Sequence, residues 1–171
     1  NEISYDAIKS FAEQNGVKLV EVPVKAKLQD GAEEYENKMI QGYNSLAGRV
    51  DAVYMTNCGN RTGSRMMEYL DPLYKQGIPV FSQTGRNDVA NGAMMTVYRS
   101  DFNEIGSFCA DRLLQIKNGK KPGDLSQICN ESQTFCINIA AADRAGIRIP
   151  FKVLLQCDKI YNRIGQNEEA R

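Results

Sequence analysis

An α/β fold, a parallel sheet flanked by helices on both faces, is what this chain predicts, and three observations carry the prediction. Short β-rich runs alternate with amphipathic helical stretches through the first hundred residues, the pattern of strands joined by crossover helices. Glycines at 16, 48, 77, 119 and 146 fall where the helical periodicity stops. An apolar fraction of 42% over 171 residues suits one packed domain, or a domain and part of another, and argues against disorder.

The elements follow in order. Ile8, Phe11 and Ala12 mark a helix that stops at Asn15-Gly16. Residues 17–24, Val-Lys-Leu-Val-Glu-Val-Pro-Val, read as a buried strand, with Pro23 at its end because proline cannot donate to a ladder. Ala32, Tyr35, Met39, Tyr43 and Leu46 step by three and four along a second helix closed near Gly48, and 51–55 is the next β-rich run. A third helix spans about 63–76 and ends at Gly77, 78–82 is a strand, and 83–92 is rich in turn residues. Asn1 to Ser4 lead straight into the first helix without a strand for it to pack on.

The most informative stretch is 92–106. Met, Thr, Val and Tyr in the run 93–98 predict a strand. Asp101 then stands as a helix N-cap, with Glu104 in the capping-box position, so the helix begins at Phe102. Phe102, Ile105, Cys109, Leu113 and Ile116 form one apolar stripe on it, which predicts that face, Cys109 included, to be buried. Beyond the loop at 120–124 come a β-rich stretch 134–139, a short helix about 140–145 closed by Gly146, another from Phe151, a last strand 158–161 and a polar tail from Gly165.

Composition narrows function. Lys plus Arg and Asp plus Glu balance at 21 each, so no global field recruits nucleic acid or an anionic membrane, and a neutral or zwitterionic partner fits better. The absence of histidine removes the commonest general base and the commonest zinc ligand, so no catalytic or metal residue is nominated and no cofactor is expected. Of the five cysteines, Cys58, Cys109, Cys129, Cys136 and Cys157, no two form a C-x-x-C, and Cys129 and Cys136 read as ordinary strand residues rather than a bridge. No apolar run approaches the roughly 20 residues of a membrane span. Gly59 and Gly63 lack the Gly-Lys-Ser/Thr ending of a phosphate loop, and the Asn60-Arg61-Thr62 and Asn130-Glu131-Ser132 triplets occur readily by chance.

Four collinear blocks carry a resemblance: Leu46-Ala-Gly-Arg-Val-Asp-Ala-Val-Tyr54, Gly92-Ala-Met-Met-Thr-Val-Tyr-Arg-Ser-Asp-Phe-Asn-Glu-Ile-Gly106, Gly119-Lys-Lys-Pro-Gly-Asp124, and Ile137-Asn-Ile-Ala-Ala-Ala-Asp-Arg-Ala-Gly-Ile-Arg-Ile-Pro150. Together they resemble the extracytoplasmic solute-binding components of ABC transporters, in the type I periplasmic-binding-protein-like subgroup that includes binders of tryptophan and other aromatic amino acids. The resemblance implies the C-terminal part of a two-lobed bacterial protein, periplasmic or lipid-anchored. Residues 1–94 and 126–171 would form the second lobe, lacking its first strand, while 95–125 would be a hinge crossing and a helix of the first lobe. The partners implied are a small solute, an amino acid among the candidates, and an ABC permease in the membrane. The helix stripe at 102–117 would then need upstream residues, or self-association with another copy, to cover it. A ligand-sensing domain of a transcription regulator or receptor can use the same architecture.

Ligands of parallel α/β sheets sit beyond the carboxyl ends of strands. Two loops qualify. Thr56, Asn57, Asn60 and Thr62 follow the 51–55 strand and open a helix whose amides suit a carboxylate, and Gln83 and Thr84 follow the 78–82 strand. At the implied crossing, Arg99 could clamp a carboxylate in bidentate fashion, while Asp101 serves as a cap or a ligand contact. The same residue types also build ordinary turns.

Overall fold

The computed structural model describes residues 2–25, 31–56, 63–98, 102–129 and 133–165. A five-stranded sheet runs in the order β1 (Val53–Met55), β2 (Val80–Ser82), β3 (Met95–Tyr98), β4 (Thr134–Asn138), β5 (Lys159–Tyr161). The pairs β1–β2, β2–β3 and β4–β5 are parallel, and β3–β4 is antiparallel. The helices are α1 (Glu2–Gln14), α2 (Ala32–Asn44), α3 (Met66–Tyr74), α4 (Arg86–Ala90), α5 (Phe102–Lys117), α6 (Ile139–Arg144) and α7 (Phe151–Leu154).

Register separates the two faces of the sheet. Val53 and Val80 pair, as do Met55, Ser82, Thr96 and Cys136 across four strands, and all of these are buried. Against this face lie Met39, Ile40 and Tyr43 of α2 and Tyr69, Leu70 and Leu73 of α3, in one cluster with Val53, Met55 and Val80. Val89 and Ala90 of α4 continue the layer over Cys136 and Tyr161. Arg65, at the entry to α3, ties it to α2: its guanidinium donates to Glu68 (2.8 Å), to Asn37 (2.7 Å) and to the buried Glu36 (3.3 Å).

Several expectations shift. The strand expected at 17–24 does not form: no ladder runs through 17–25, although Val20, Val22 and Val24 are half-buried and the residues between them exposed. Its period-two pattern is intact, but a strand needs a neighbour to bond, and none of the described strands lies beside it. Val24 packs where any side chain at Gly42 of α2 would have to stand. The helix predicted over 63–76 divides into a 3-10 turn at Gly63–Arg65 and α3, and the turn-rich 83–92 segment contains the short helix α4.

The α5 stripe is open. Leu113 is 67% exposed, and Cys109, expected to be buried, is exposed. Within α5 Arg112 lies 4.4 Å over the Phe108 ring, and it donates to the Ser126 carbonyl at 3.0 Å, while of the stripe Ile105 is half-buried and Cys109, Leu113 and Ile116 are exposed. On α1, likewise, Ala12 is buried but Phe11 is 65% exposed.

Two buried polar groups fix how the layers join. Asn138, at the end of β4, accepts from the Ala141 amide as the N-cap of α6 and donates to the carbonyls of Val89 and Arg163. Tyr74 donates its hydroxyl to the Gly92 carbonyl at 2.6 Å, and burial pushes its ionisation well above the ordinary value of 10.0. Replacing Asn138 by Ala removes a cap and the bonds to the Val89 and Arg163 carbonyls, the former of which keeps the Gly92 amide, so urea unfolding should show a loss of roughly 1–3 kcal/mol. For Tyr74 the neutral form is favoured by folding, so its contribution is complete below pH 10 and declines as pH rises beyond it. Between pH 9 and about 11 the parent should therefore lose more stability than Tyr74→Phe, measured as urea midpoints; equal slopes would contradict the assignment.

Candidate functional site

Because β1, β2 and β3 are mutually parallel, their carboxyl ends share one rim. Met55 pairs with Ser82 and Ser82 with Thr96, so the residues that follow each strand emerge side by side. Gln83 donates its amide to the Met55 carbonyl at 2.9 Å, which sets it beside the exposed Thr56. Tyr98 ends β3 at the same rim, and Thr134 pairs with it across the antiparallel ladder.

The loop after β2 is held by a polar knot. Ser82, turned into the buried face, donates to the Asp88 carboxylate at 2.6 Å and accepts from the Thr84 amide at 3.0 Å. The Thr84 hydroxyl donates to the same Asp88 oxygen. Asp88 is 7% exposed, and Thr96 donates to the Ser82 carbonyl at 2.7 Å, so the knot is keyed into the sheet. Charge-assisted bonds of this kind fix the loop's course more firmly than neutral ones would. Gly85 completes the turn at φ 110°, where a Cβ would lie 3.1 Å from the Tyr98 ring, so the turn needs glycine for its backbone and for this close approach.

Of the residues expected at the site, Thr56, Gln83 and Thr84 come together at the rim, with Thr56 and Thr84 exposed. Asn57, Asn60, Thr62, Arg99 and Asp101 lie outside the described residues, as does Cys58. Sequence reasoning passed over Ser82 and Asp88, since neither is exposed to a ligand and only the fold closes the six-residue gap between them. The spacing Ser82-x-Thr84-x-x-x-Asp88 at the entry to a short helix was the available signal. Elsewhere an open groove of about 320 Å³ lies on the sheet face away from α2 and α3, between Tyr54, Phe81, Met95 and Val97. Ser82 and Thr96 complete its lining, which is mainly apolar.

Among the described residues no three His, Cys, Asp or Glu side chains gather to hold a metal. None of Cys109, Cys129, Cys136 and Cys157 is in a disulfide, as the reading of Cys129 and Cys136 anticipated, but of those two only Cys136 lies in a strand, β4. Burial raises the Cys157 thiol above its ordinary value, away from a reactive thiolate. No helix of the described residues is long and apolar enough to cross a membrane.

A family model described as ABC transporter substrate binding protein matches residues 3–161. The chain belongs to that family. Among solved structures, a conserved domain protein from Vibrio cholerae O1 biovar El Tor matches at 25% identity and a TM-score of 0.71, over 94% of this chain and 50% of the other. A substrate-binding protein with adhesive properties from Clostridium difficile, in a ligand-free, open structure, matches at 21% identity and 0.69 over 95% and 50%. An ABC domain in complex with L-Trp from Streptococcus pneumoniae matches at 19% and 0.69 over 93% and 50%. This chain of the substrate-binding family thus spans about half the length of these structures. No curated protein matches.

Asp88→Ala should free the Gln83–Gly85 loop while leaving Ser82 and Thr84 to bond each other, 3.0 Å apart. We expect a loss of roughly 1–3 kcal/mol by urea unfolding, with amide exchange accelerated at Thr84 and Gly85. Unchanged exchange there would show that the carboxylate does not hold the loop.

Proposed function

We propose that this chain is the larger part of one lobe, and a piece of the other, of an extracytoplasmic solute receptor serving an ABC importer. In this reading a small solute, an amino acid among the candidates, is captured in the cleft between lobes. Closure around it stabilises the form that docks on the membrane permease. The step is binding and release, with no bond made or broken.

The observation that carries the reading is the shared rim of β1–β3 in a chain of the substrate-binding family. Loops leaving parallel strands at one end are where α/β folds hold ligands. Thr56, Gln83 and Thr84 supply hydroxyl and amide groups there, and Asn57, Asn60, Thr62, Arg99 and Asp101 belong to the same loops by sequence. The neutral charge balance suits a zwitterion better than a polyanion.

The two-lobe division, 1–94 with 126–171 against 95–125, draws support from α5. An amphipathic helix with Leu113 67% and Leu114 59% exposed is built to pack on something, and the other lobe is the partner we assign to it. The half-length match to the solved structures agrees.

Calorimetric titration of the two-lobed protein with tryptophan, tyrosine, leucine, a hexose and a nucleoside tests the reading. One of the amino acids should bind, with saturation at one site per chain. Binding of none of these compounds, together with catalytic turnover of any of them, would overturn it. Because the chain contains no tryptophan, ligand tryptophan fluorescence gives a second readout on this lobe.

A further inference from the structure

We infer that Asn91 is a positioning residue of the rim, coupling the Gly63–Arg65 turn at the entry of α3 to the Gln83–Gly85 loop so that the two shift together, a role that rests on the solute-binding reading above.

Helix α3 and its entry turn meet the Asn91–Gly92 pair along one stripe. Gly63, Met67, Leu70 and Tyr74 recur at steps of four, three and four, the spacing that sets residues on one side of a helix. A Cβ at Gly92 would lie 2.7 Å from the Met67 sulfur and 3.4 Å from Leu70 Cδ1, and the Tyr74 hydroxyl donates to the Gly92 carbonyl. At the head of the stripe stands the Asn91 side chain. A Cβ at Gly63 would lie 2.8 Å from its Nδ2, 2.9 Å from its Cγ and 3.1 Å from its Oδ1, so the amide fills the space that a side chain at 63 would take. Gly63 is not among the glycines with positive φ, so the position needs glycine for this approach and not for its backbone.

Asn91 is itself held from the other side. It is 5% exposed, and its Nδ2 donates at 2.9 Å to the Asn87 carbonyl, one turn back in α4, which also takes the Asn91 backbone amide at 3.1 Å. Next to Asn87 in α4 is Asp88, whose carboxylate takes the hydroxyls of Ser82 and Thr84 and so fixes the loop after β2. The path from Gly63 to Thr84 is therefore a short series of packed and hydrogen-bonded groups, the physical means by which one segment moves another. On the α3 side, Arg65 lies two residues beyond Gly63 and is bonded to Glu36, Asn37 and Glu68, which opposes any yielding of the turn away from Asn91.

The segments that follow β1 and β2 are thus tied twice. The Gln83 amide on the Met55 carbonyl ties them at the strand ends, and Asn91 on Gly63 ties them again where the helices pack. A solute that engages Gln83 or Thr84 is felt at the entry to α3 through the second tie.

The test is amide exchange and calorimetry on the full-length protein carrying Gly63→Ala, Asn91→Ser or both. A methyl group at 63 displaces the Asn91 amide, so Gly63→Ala should quicken exchange at Thr84 by about fivefold or more, without a matching rise at the Gly146 turn that closes α6. On an Asn91→Ser background the shorter side chain leaves room, and Gly63→Ala should then add less than about twofold. Whichever of tryptophan, tyrosine and leucine the parent binds should be held at least about threefold more weakly by Gly63→Ala, and by the double variant no more weakly than by Asn91→Ser alone. Unmoved exchange at Thr84 in Gly63→Ala, equal effects with and without Asn91→Ser, or unchanged solute affinity beside quickened exchange would each overturn the inference. A rise of the same size at Thr84 and Gly146 would reduce Gly63 to a packing residue and overturn it equally. If the exchange cycle holds while none of the three solutes binds the parent, the coupling stands and the solute reading falls.

Discussion

Neighbouring parallel strands cannot be joined by a tight turn; each connection must leave the sheet, pass through a helix and return with the same hand. That constraint places α3 and α4 on one face of β1–β3, where α2 also packs. It also delivers the carboxyl ends of three strands to a single rim. The candidate site is therefore a by-product of how parallel strands are connected, before any ligand chemistry enters.

Within that frame a few buried polar groups choose one arrangement among many that would bury similar apolar area. Asn138 joins β4, α6, α4 and the chain at Arg163 through one side chain. Asp88 collects the hydroxyls of Ser82 and Thr84, and Tyr74 reaches the Gly92 carbonyl. Each would be costly to bury unpaired, and so each disfavours alternatives that lack its partners. The knot around Asp88 and the contact of Gly85 with Tyr98 give the rim a fixed shape on the β2–β3 side.

The apolar surfaces left open are as informative as those that are closed. Leu113 and Leu114 on α5, Phe11 on α1, and Tyr54 with Val97 on the sheet lie on three separate elements. Scattered exposed leucines are ordinary, but whole stripes and rows set by helix and strand periodicity are faces made for packing. The chain covers half the length of similar structures, and these exposed faces are what the proposed two-lobed reading would cover.

Much of this was legible in the amino-acid sequence. Strands near 53–55, 80–82, 95–98, 134–138 and 159–161, the helix from Phe102 to Lys117, and the rim residues Thr56, Gln83 and Thr84 follow from periodicity, glycine stops and the alternation of elements, which are local properties. The 17–24 run shows the limit: its alternation is that of a strand, yet whether it becomes one depends on a neighbour to receive its hydrogen bonds. Cys109 shows it again, since an apolar stripe states which face seeks burial and not whether a partner is present. Ser82 and Asp88 meet only because a turn at Gly85 folds the chain back on itself. The sequence by itself determined the class of fold, most of its elements and the family. Tertiary structure alone decided which faces are covered and which carboxylate holds the loop, because burial and hydrogen bonding are settled between segments distant in the chain.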